Sequence, residues 1–133
     1  MIYNGSFVVD VTYNANSKIS VRFYEYQFVG GVHGSSTIYA YTYNLKEAKL
    51  LTLTEVLGLD AESALKLVNQ CVDCDIKNSR AGKYFNETAN ITDLENIVFY
   101  ILDGMVHIVF NEYYLGPYAS GIIDLILYDF KMN

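Results

Sequence analysis

Apolar and polar residues alternate with period two over residues 5–57. Over residues 60–85 the apolar positions recur every three or four residues. Over residues 95–130 the period returns to two. These three zones predict strands, then helix, then strands.

In the first zone Phe7, Val9, Val11 and Tyr13 alternate with Val8, Asp10, Thr12 and Asn14. That pattern predicts a strand with one buried face. Asn14-Ala15-Asn16-Ser17 is a turn cluster. A second strand follows from Ile19 to about Val29. In it Ile19, Val21 and Phe23 share one face, after which Tyr24, Tyr26 and Phe28 become the apolar set. The parity switch predicts either a bulge near Phe23-Tyr24 or a strand partly covered on both faces. A third strand, Thr37 to Leu45, puts Tyr39, Tyr41 and Tyr43 on one face. β-propensity and cross-strand packing are sufficient reasons for tyrosines there.

Thr52-Leu53-Thr54-Glu55 has the spacing of a capping box, and Gly58 stands where a C-cap belongs. The pair predicts one short helical turn. Asp60 then caps a longer helix, with Glu62 favoured by the dipole of its first turn. Ala61, Ala64, Leu65, Val68, Cys71 and Val72 form its buried stripe. Asn78 to Gly82 ends or kinks it, and a second short helix is expected near Lys83–Thr88. Asp103-Gly104 between two apolar runs predicts a hairpin of Ile97–Leu102 with Met105–Phe110. A loop with the lone proline, Pro117, leads to a last strand near Gly121–Tyr128. That strand is apolar on both faces except at Asp124, which predicts a central position. The order βββ–α–βββ describes one α+β domain over residues 1–133, an antiparallel β-sheet with one main helix packed on it. Its parts are β-rich (1–59), helical (60–90) and β-rich (91–133).

Composition narrows the function classes. The 52% hydrophobic and 18% charged content of the 133 residues argues against intrinsic disorder. A net charge of −6 disfavours nucleic acid, because the nine Lys and Arg form no basic stripe. No apolar run reaches the ~18–20 residues of a membrane helix. The first residues lack the basic-then-apolar pattern of a signal peptide. Thirteen tyrosines and no tryptophan are the anomaly of this chain.

Cys71 and Cys74 are spaced C-x-x-C, but inside the helical pattern rather than at a helix start, where the dipole would activate a thiol. A structural zinc site needs four ligands, and no second C-x-x-C or paired His accompanies them. They read as semi-buried structural thiols, with an incidental disulfide or redox role as the alternative, and neither a metal nor another cofactor is called for. Three sequons, at Asn4, Asn86 and Asn90, are too short a pattern to decide anything.

Three constellations could carry chemistry. In Gly30-Gly31-Val32-His33-Gly34 the glycines let backbone approach a partner closely. The segment is either a binding loop with His33 as donor or acid–base, or a tight connection with His33 bonded to nearby backbone. It lacks the pattern of a phosphate loop. The second constellation is residues 110–121, where Tyr113, Tyr114 and Tyr118 accompany Gly116, Pro117 and Gly121. A tyrosine offers a flat face and a hydroxyl at low entropy cost, which suits interfaces and sugar faces. Alternatively these tyrosines cover the open end of the sheet. The third is the carboxylate set Glu25, Glu112 and Asp124. Glycan hydrolysis needs two carboxylates at a defined separation, and sequence alone places no two together. Asp124, isolated in an apolar strand, is either an acid of raised pKa or a structural partner, and His107, inside another apolar strand, reads as structural.

These motifs resemble a known family. Gly30-Gly31-Val32-His33-Gly34 resembles its Gly-Gly-x-His-Gly turn. Tyr43-Asn44-Leu45-Lys46 and Leu51-Thr52-Leu53-Thr54-Glu55 are similar to its Asn-Leu-Lys … Leu-Thr-Leu-x-Asp/Glu segment. Phe110 through Gly121 resembles its Phe-x-x-Tyr-x-Ile-Ala-Pro-Tyr-Ala-x-Gly signature. The family is the pair of adjoining extracytoplasmic domains of RsiV-type anti-sigma factors and PdaC-type peptidoglycan deacetylases, from Gram-positive bacteria. Glu112 stands where many members have Pro, and Tyr114 where they have an acidic residue. The resemblance implies an α+β fold outside the cytoplasmic membrane, as a fragment or mature part of an exported protein. It implies a non-catalytic binding or sensing module for a cell-wall glycan or a wall-active protein such as lysozyme. The expected contact residues are Gly31, His33, Gly34, Tyr113, Tyr114, Pro117, Tyr118 and Gly121. The alternatives are a small wall-glycan hydrolase, and a structural or dimerisation domain with an exposed tyrosine face.

Overall fold

The computed structural model describes residues 4–127. Their elements run β1 (Asn4–Ala15), β2 (Lys18–Phe28), β3 (Ser35–Asn44), β4 (Lys49–Leu50), α1 (Leu53–Leu57), α2 (Ala61–Asn78), β5 (Val98–Leu102), β6 (Met105–Phe110) and β7 (Ile123–Ile126). The fold is α+β, with two antiparallel sheets rather than one. The first has strand order β1-β2-β3-β4 and the second β5-β6-β7.

The helices begin where the sequence says they should. Thr52 and Glu55 form the reciprocal capping box of α1, which ends at Gly58 in the left-handed conformation. The Asp60 side chain accepts from Ser63 N at 2.7 Å and starts α2. Ala64, Val68 and Val72 lie on the buried stripe of α2. They pack with Ile101, Val106 and Ile108 on one face of the second sheet. The other face of that sheet presents Tyr100 and Val109 to Ile38 of the first sheet. The layers are therefore helix, second sheet, first sheet. Ser20 and Thr42 are the buried polar residues; they bond each other at 3.0 Å, and Ser20 Oγ accepts from Ile101 N. That hydroxyl pair ties the two sheets together without leaving a polar atom unpaired.

Four expectations need correction. First, β1 has no buried face: Asn4 through Val11 are all exposed. It is an edge strand, and among the described residues nothing lies on the outer side of its sheet. Second, the register of β2 runs unbroken through Phe23-Tyr24; the irregularity is in β1, between Val11 and Tyr13. It turns Tyr13 to the inner face, where Tyr13 packs on the core. After the switch the apolar residues Tyr24 and Tyr26 face the inner side, while Phe23 on the outer side is flanked only by Phe7 and Tyr41 of the neighbouring strands. Third, β7 sits at an edge of its sheet and β6 is central. The apolar residues around β7 are covered by the layers above and below: Ile122 packs toward the first sheet and Ile123 toward the helices. Tyr128 lies outside the described residues. Fourth, residues 83–88 are turns and bends rather than a helix. Their polar groups bond neighbouring elements instead, with Phe85 N donating to Leu115 O at 2.9 Å.

Candidate functional site

The two glycine-rich motifs, about 80 residues apart in sequence, meet in space. Gly30–Gly34 connects β2 to β3. The His33 ring stacks on Tyr118 with centroids 3.6 Å apart and planes 16° from parallel. Tyr118 OH donates to Gly34 O at 2.9 Å, and His33 Nδ1 lies 3.1 Å from the same oxygen. Of the two readings of His33, the bond to nearby backbone is present, and the ring in addition stacks on an aromatic side chain. Gly34 is buried against Tyr26, whose hydroxyl oxygen and nearest ring carbons lie 2.3–2.5 Å from where a Cβ would stand. Only glycine fits without moving Tyr26.

The second loop is held from both sides. On one side the Asn111 side chain clasps the free edge of β3. It accepts from Ile38 N at 2.8 Å and donates to Ile38 O at 3.0 Å, as a neighbouring strand would. Glu112 accepts from Ser36 N. On the other side Gly116 packs against Lys83 O, which would sit 2.1 Å from a Cβ, and Ser120 Oγ donates to that carbonyl at 2.6 Å. The Lys83 segment is in turn fixed to α2. Lys83 Nζ and Tyr84 OH donate to Asp75 Oδ2 at 2.7 and 2.6 Å, and Ser79 Oγ does so at 3.2 Å. Burial pushes the Asp75 carboxyl up, but the bonds from Lys83, Tyr84 and Ser79 outweigh it and hold the group below its ordinary value.

The clamped loop displays its aromatics. Tyr113 adopts φ 69°, a left-handed conformation that costs a non-glycine residue about 1 kcal/mol. Its ring lies 5.9 Å from Tyr118. Tyr113 is 56% and Tyr114 50% exposed. Tyr114 leans on Phe110 with centroids 5.8 Å apart. Partial burial and the Glu112 carboxylate both raise the Tyr118 hydroxyl above its ordinary value. Pro117 precedes the 3-10 turn Tyr118–Ser120, and Gly121 closes it.

Beside this cluster is a cavity of about 420 Å³, lined by Tyr24, Ser36, Glu112, Tyr118, Gly121 and Asp124 among others. Glu112 and Asp124 thus share one cavity. Glu25 lies elsewhere, with Gln27 on the outer face of the first sheet. Asp124 is engaged: Tyr100 OH donates to it, and His107 Nδ1 lies 2.9 Å from its other oxygen. Arg22 extends the network, donating to Tyr100 OH at 3.1 Å and to Asp10 at 3.2 Å. Burial and the Asp124 bond push the Tyr100 hydroxyl up to about 12. The sequence pointed to neither Arg22 nor Tyr100, because an arginine within a strand gives no local sign of its partner 78 residues away.

Cys71 and Cys74 stand mid-helix on α2, with Cys71 Sγ 3.6 Å from Ile126 O. Among the described residues no three His, Cys, Asp or Glu side chains converge as metal ligands would. No described helix is long and apolar enough to cross a membrane.

Two crystal structures share this arrangement of sheets and helix. One, from Pseudomonas aeruginosa PAO1, superposes with a TM-score of 0.69 at 16% identity over 94% of this chain. The other, from Bacteroides fragilis NCTC 9343, superposes with a TM-score of 0.68 at 19% identity over 93% of this chain. Both are described as members of the DUF3298 family. The chain has the DUF3298 fold. It spans 58% of the first structure's length and 50% of the second's. No family model matches the sequence. No curated protein matches it either.

Proposed function

We propose that this DUF3298-fold chain is a non-catalytic, extracytoplasmic binding or sensing module of the RsiV/PdaC type. Its ligand is a cell-wall glycan or a wall-active protein such as lysozyme. The observation that carries this reading is the stack of His33 on Tyr118. It joins two distant motifs into one aromatic platform, with Tyr113 and Tyr114 exposed beside it. Exposed tyrosines held by a rigid, clamped loop lose little entropy on binding. The net charge of −6 favours encounter with a basic partner, chiefly through the on-rate.

Calorimetric titration with lysozyme and with soluble peptidoglycan fragments tests the reading. Binding to either is expected, with a loss of at least tenfold in a Tyr113→Ala/Tyr118→Ala variant. No heat with either ligand at about millimolar concentration rejects it. A second reading, a small wall-glycan hydrolase, draws support from the cavity that Glu112 and Asp124 share. Release of reducing ends from peptidoglycan, lost in Glu112→Gln, would favour it over the first.

A further inference from the structure

The outer face of the first sheet is the largest feature that the site does not use. The register places Phe7, Val9 and Val11 of β1 on it with Val21 and Phe23 of β2 and Tyr39 and Tyr41 of β3. Ring contacts confirm the shared face: Phe7 lies 5.8 Å from Phe23, and Phe23 lies 5.9 Å from Tyr41. Phe7, Val9, Val11, Tyr39, Tyr41 and Leu50 are each between 41% and 60% exposed. On this face the strands carry one charged residue among those described, Glu25. Arg22 and Asp10 point to the other side, where Arg22 meets Tyr100. An acidic chain with a net charge of −6 therefore keeps one broad face almost neutral.

We infer that this face is a homodimer interface, covered by the same face of a second copy in a two-fold β-sandwich. At ~150–250 Å² for a large side chain, the exposed parts of those six residues sum to on the order of 500 Å². A stable dimer buries about 800 Å² per partner, of which about 65% is apolar. The apolar area available matches that requirement. A two-fold axis that runs the facing strands antiparallel sets each Glu25 end over the partner's Leu50 end. The two carboxylates then stay apart, and no like charges meet across the seam. Sheets packed this way stand about 10 Å apart, which lets the Phe7–Phe23–Tyr41 row interdigitate with its copy. The interface is separate from the His33–Tyr118 platform, which lies where the β2–β3 connection meets the Tyr113–Gly121 loop.

Sedimentation equilibrium between about 1 μM and 1 mM tests the inference. The expected result is a species of twice the 15.1 kDa chain mass. A Val9→Lys/Tyr41→Lys variant is expected to weaken it at least tenfold, with an unchanged circular-dichroism spectrum. Tyr39→Gln gives a milder second variant should the double one fold poorly. Phe85→Lys, 60% exposed but outside the face, is expected to leave the dimer intact. A chain of monomer mass throughout overturns the inference. A dimer that survives both face variants overturns it as well. Both readouts are masses, so the result is independent of whether the tyrosine platform binds lysozyme or glycan.

Discussion

The two sheets share a topology and differ in what covers them. The second sheet lies between layers. Ile101, Val106 and Ile108 are fully buried against α2, and Tyr100 and Val109 are buried against the first sheet. Among the described residues the first sheet has a neighbour on one side only, so its tyrosines and valines alternate between a packed and an open face. Alternation in sequence marks two faces; it does not say whether either meets a partner. The same period of two thus produces a core in residues 98–110 and an exposed surface in residues 7–41.

Truncation separates the sheets most sharply. Ile101→Ala removes a fully buried side chain and leaves a cavity between two layers, at a cost of about 2–4 kcal/mol. Val9→Ala, at a position 51% exposed, is expected to cost less than about 0.5 kcal/mol in the dilute monomer. Urea unfolding of both variants gives the comparison. Equal losses would mean that the outer face is covered even at low concentration.

The site loop draws on the well-packed half of the molecule for its rigidity. Gly116→Ala drives a methyl into Lys83 O, a backbone atom that cannot rotate away. We expect a loss of about 1–3 kcal/mol and weaker binding at the platform. Gly34→Ala meets the far end of the Tyr26 side chain instead, which can swing aside, so its cost should be smaller. Reversal of that order would place the rigid anchor of the site on the first sheet rather than on the helical layer.

Legibility in the sequence follows the range of the interaction. Caps and turns are local, and they are where the residues predict them: the Thr52 box, the Asp60 cap and the Asp103-Gly104 hairpin. The motifs of the site were legible as motifs, because three glycines around His33 and three tyrosines around Pro117 stand out in composition. Their meeting was not legible. It depends on Asn111 acting as a strand partner for Ile38, a contact across 73 residues. The edge position of β7 and the open face of β1 were hidden for the same reason. Both depend on which layer lies above, and no spacing within one strand encodes that.

Acid should weaken the helical layer and its hold on the site. The folded Asp75 carboxyl lies below its unfolded value of about 3.9, so its stabilisation is present above that pH and is lost as pH falls through the folded value. Glu55, held at about 2 by Lys49 and the Thr52 backbone, acts in the same direction. Asp75→Asn is expected to lose about 1–2 kcal/mol at neutral pH, by weakening the bonds that Lys83, Tyr84 and Ser79 make. Its stability should then fall less steeply than the parent's below about pH 4. Urea midpoints between pH 2 and 7 test this, and parallel curves for the two proteins would reject it.

A small expected change in stability falls where binding should change most. Tyr113 holds a left-handed backbone at φ 69° and an exposed ring. Replacing it with glycine relieves about 1 kcal/mol of backbone strain but returns about 0.5–1 kcal/mol of freedom to the unfolded chain. The two nearly cancel, so Tyr113→Gly should unfold within about 1 kcal/mol of the parent. Binding at the platform should nevertheless drop, because the ring beside Tyr118 is gone. A residue that strains its own backbone to hold an apolar ring in water is hard to explain by folding alone. If Tyr113→Gly instead costs as much as Ile101→Ala, the ring serves the fold. The exposed loop would then belong with the packed sheet rather than with the open one.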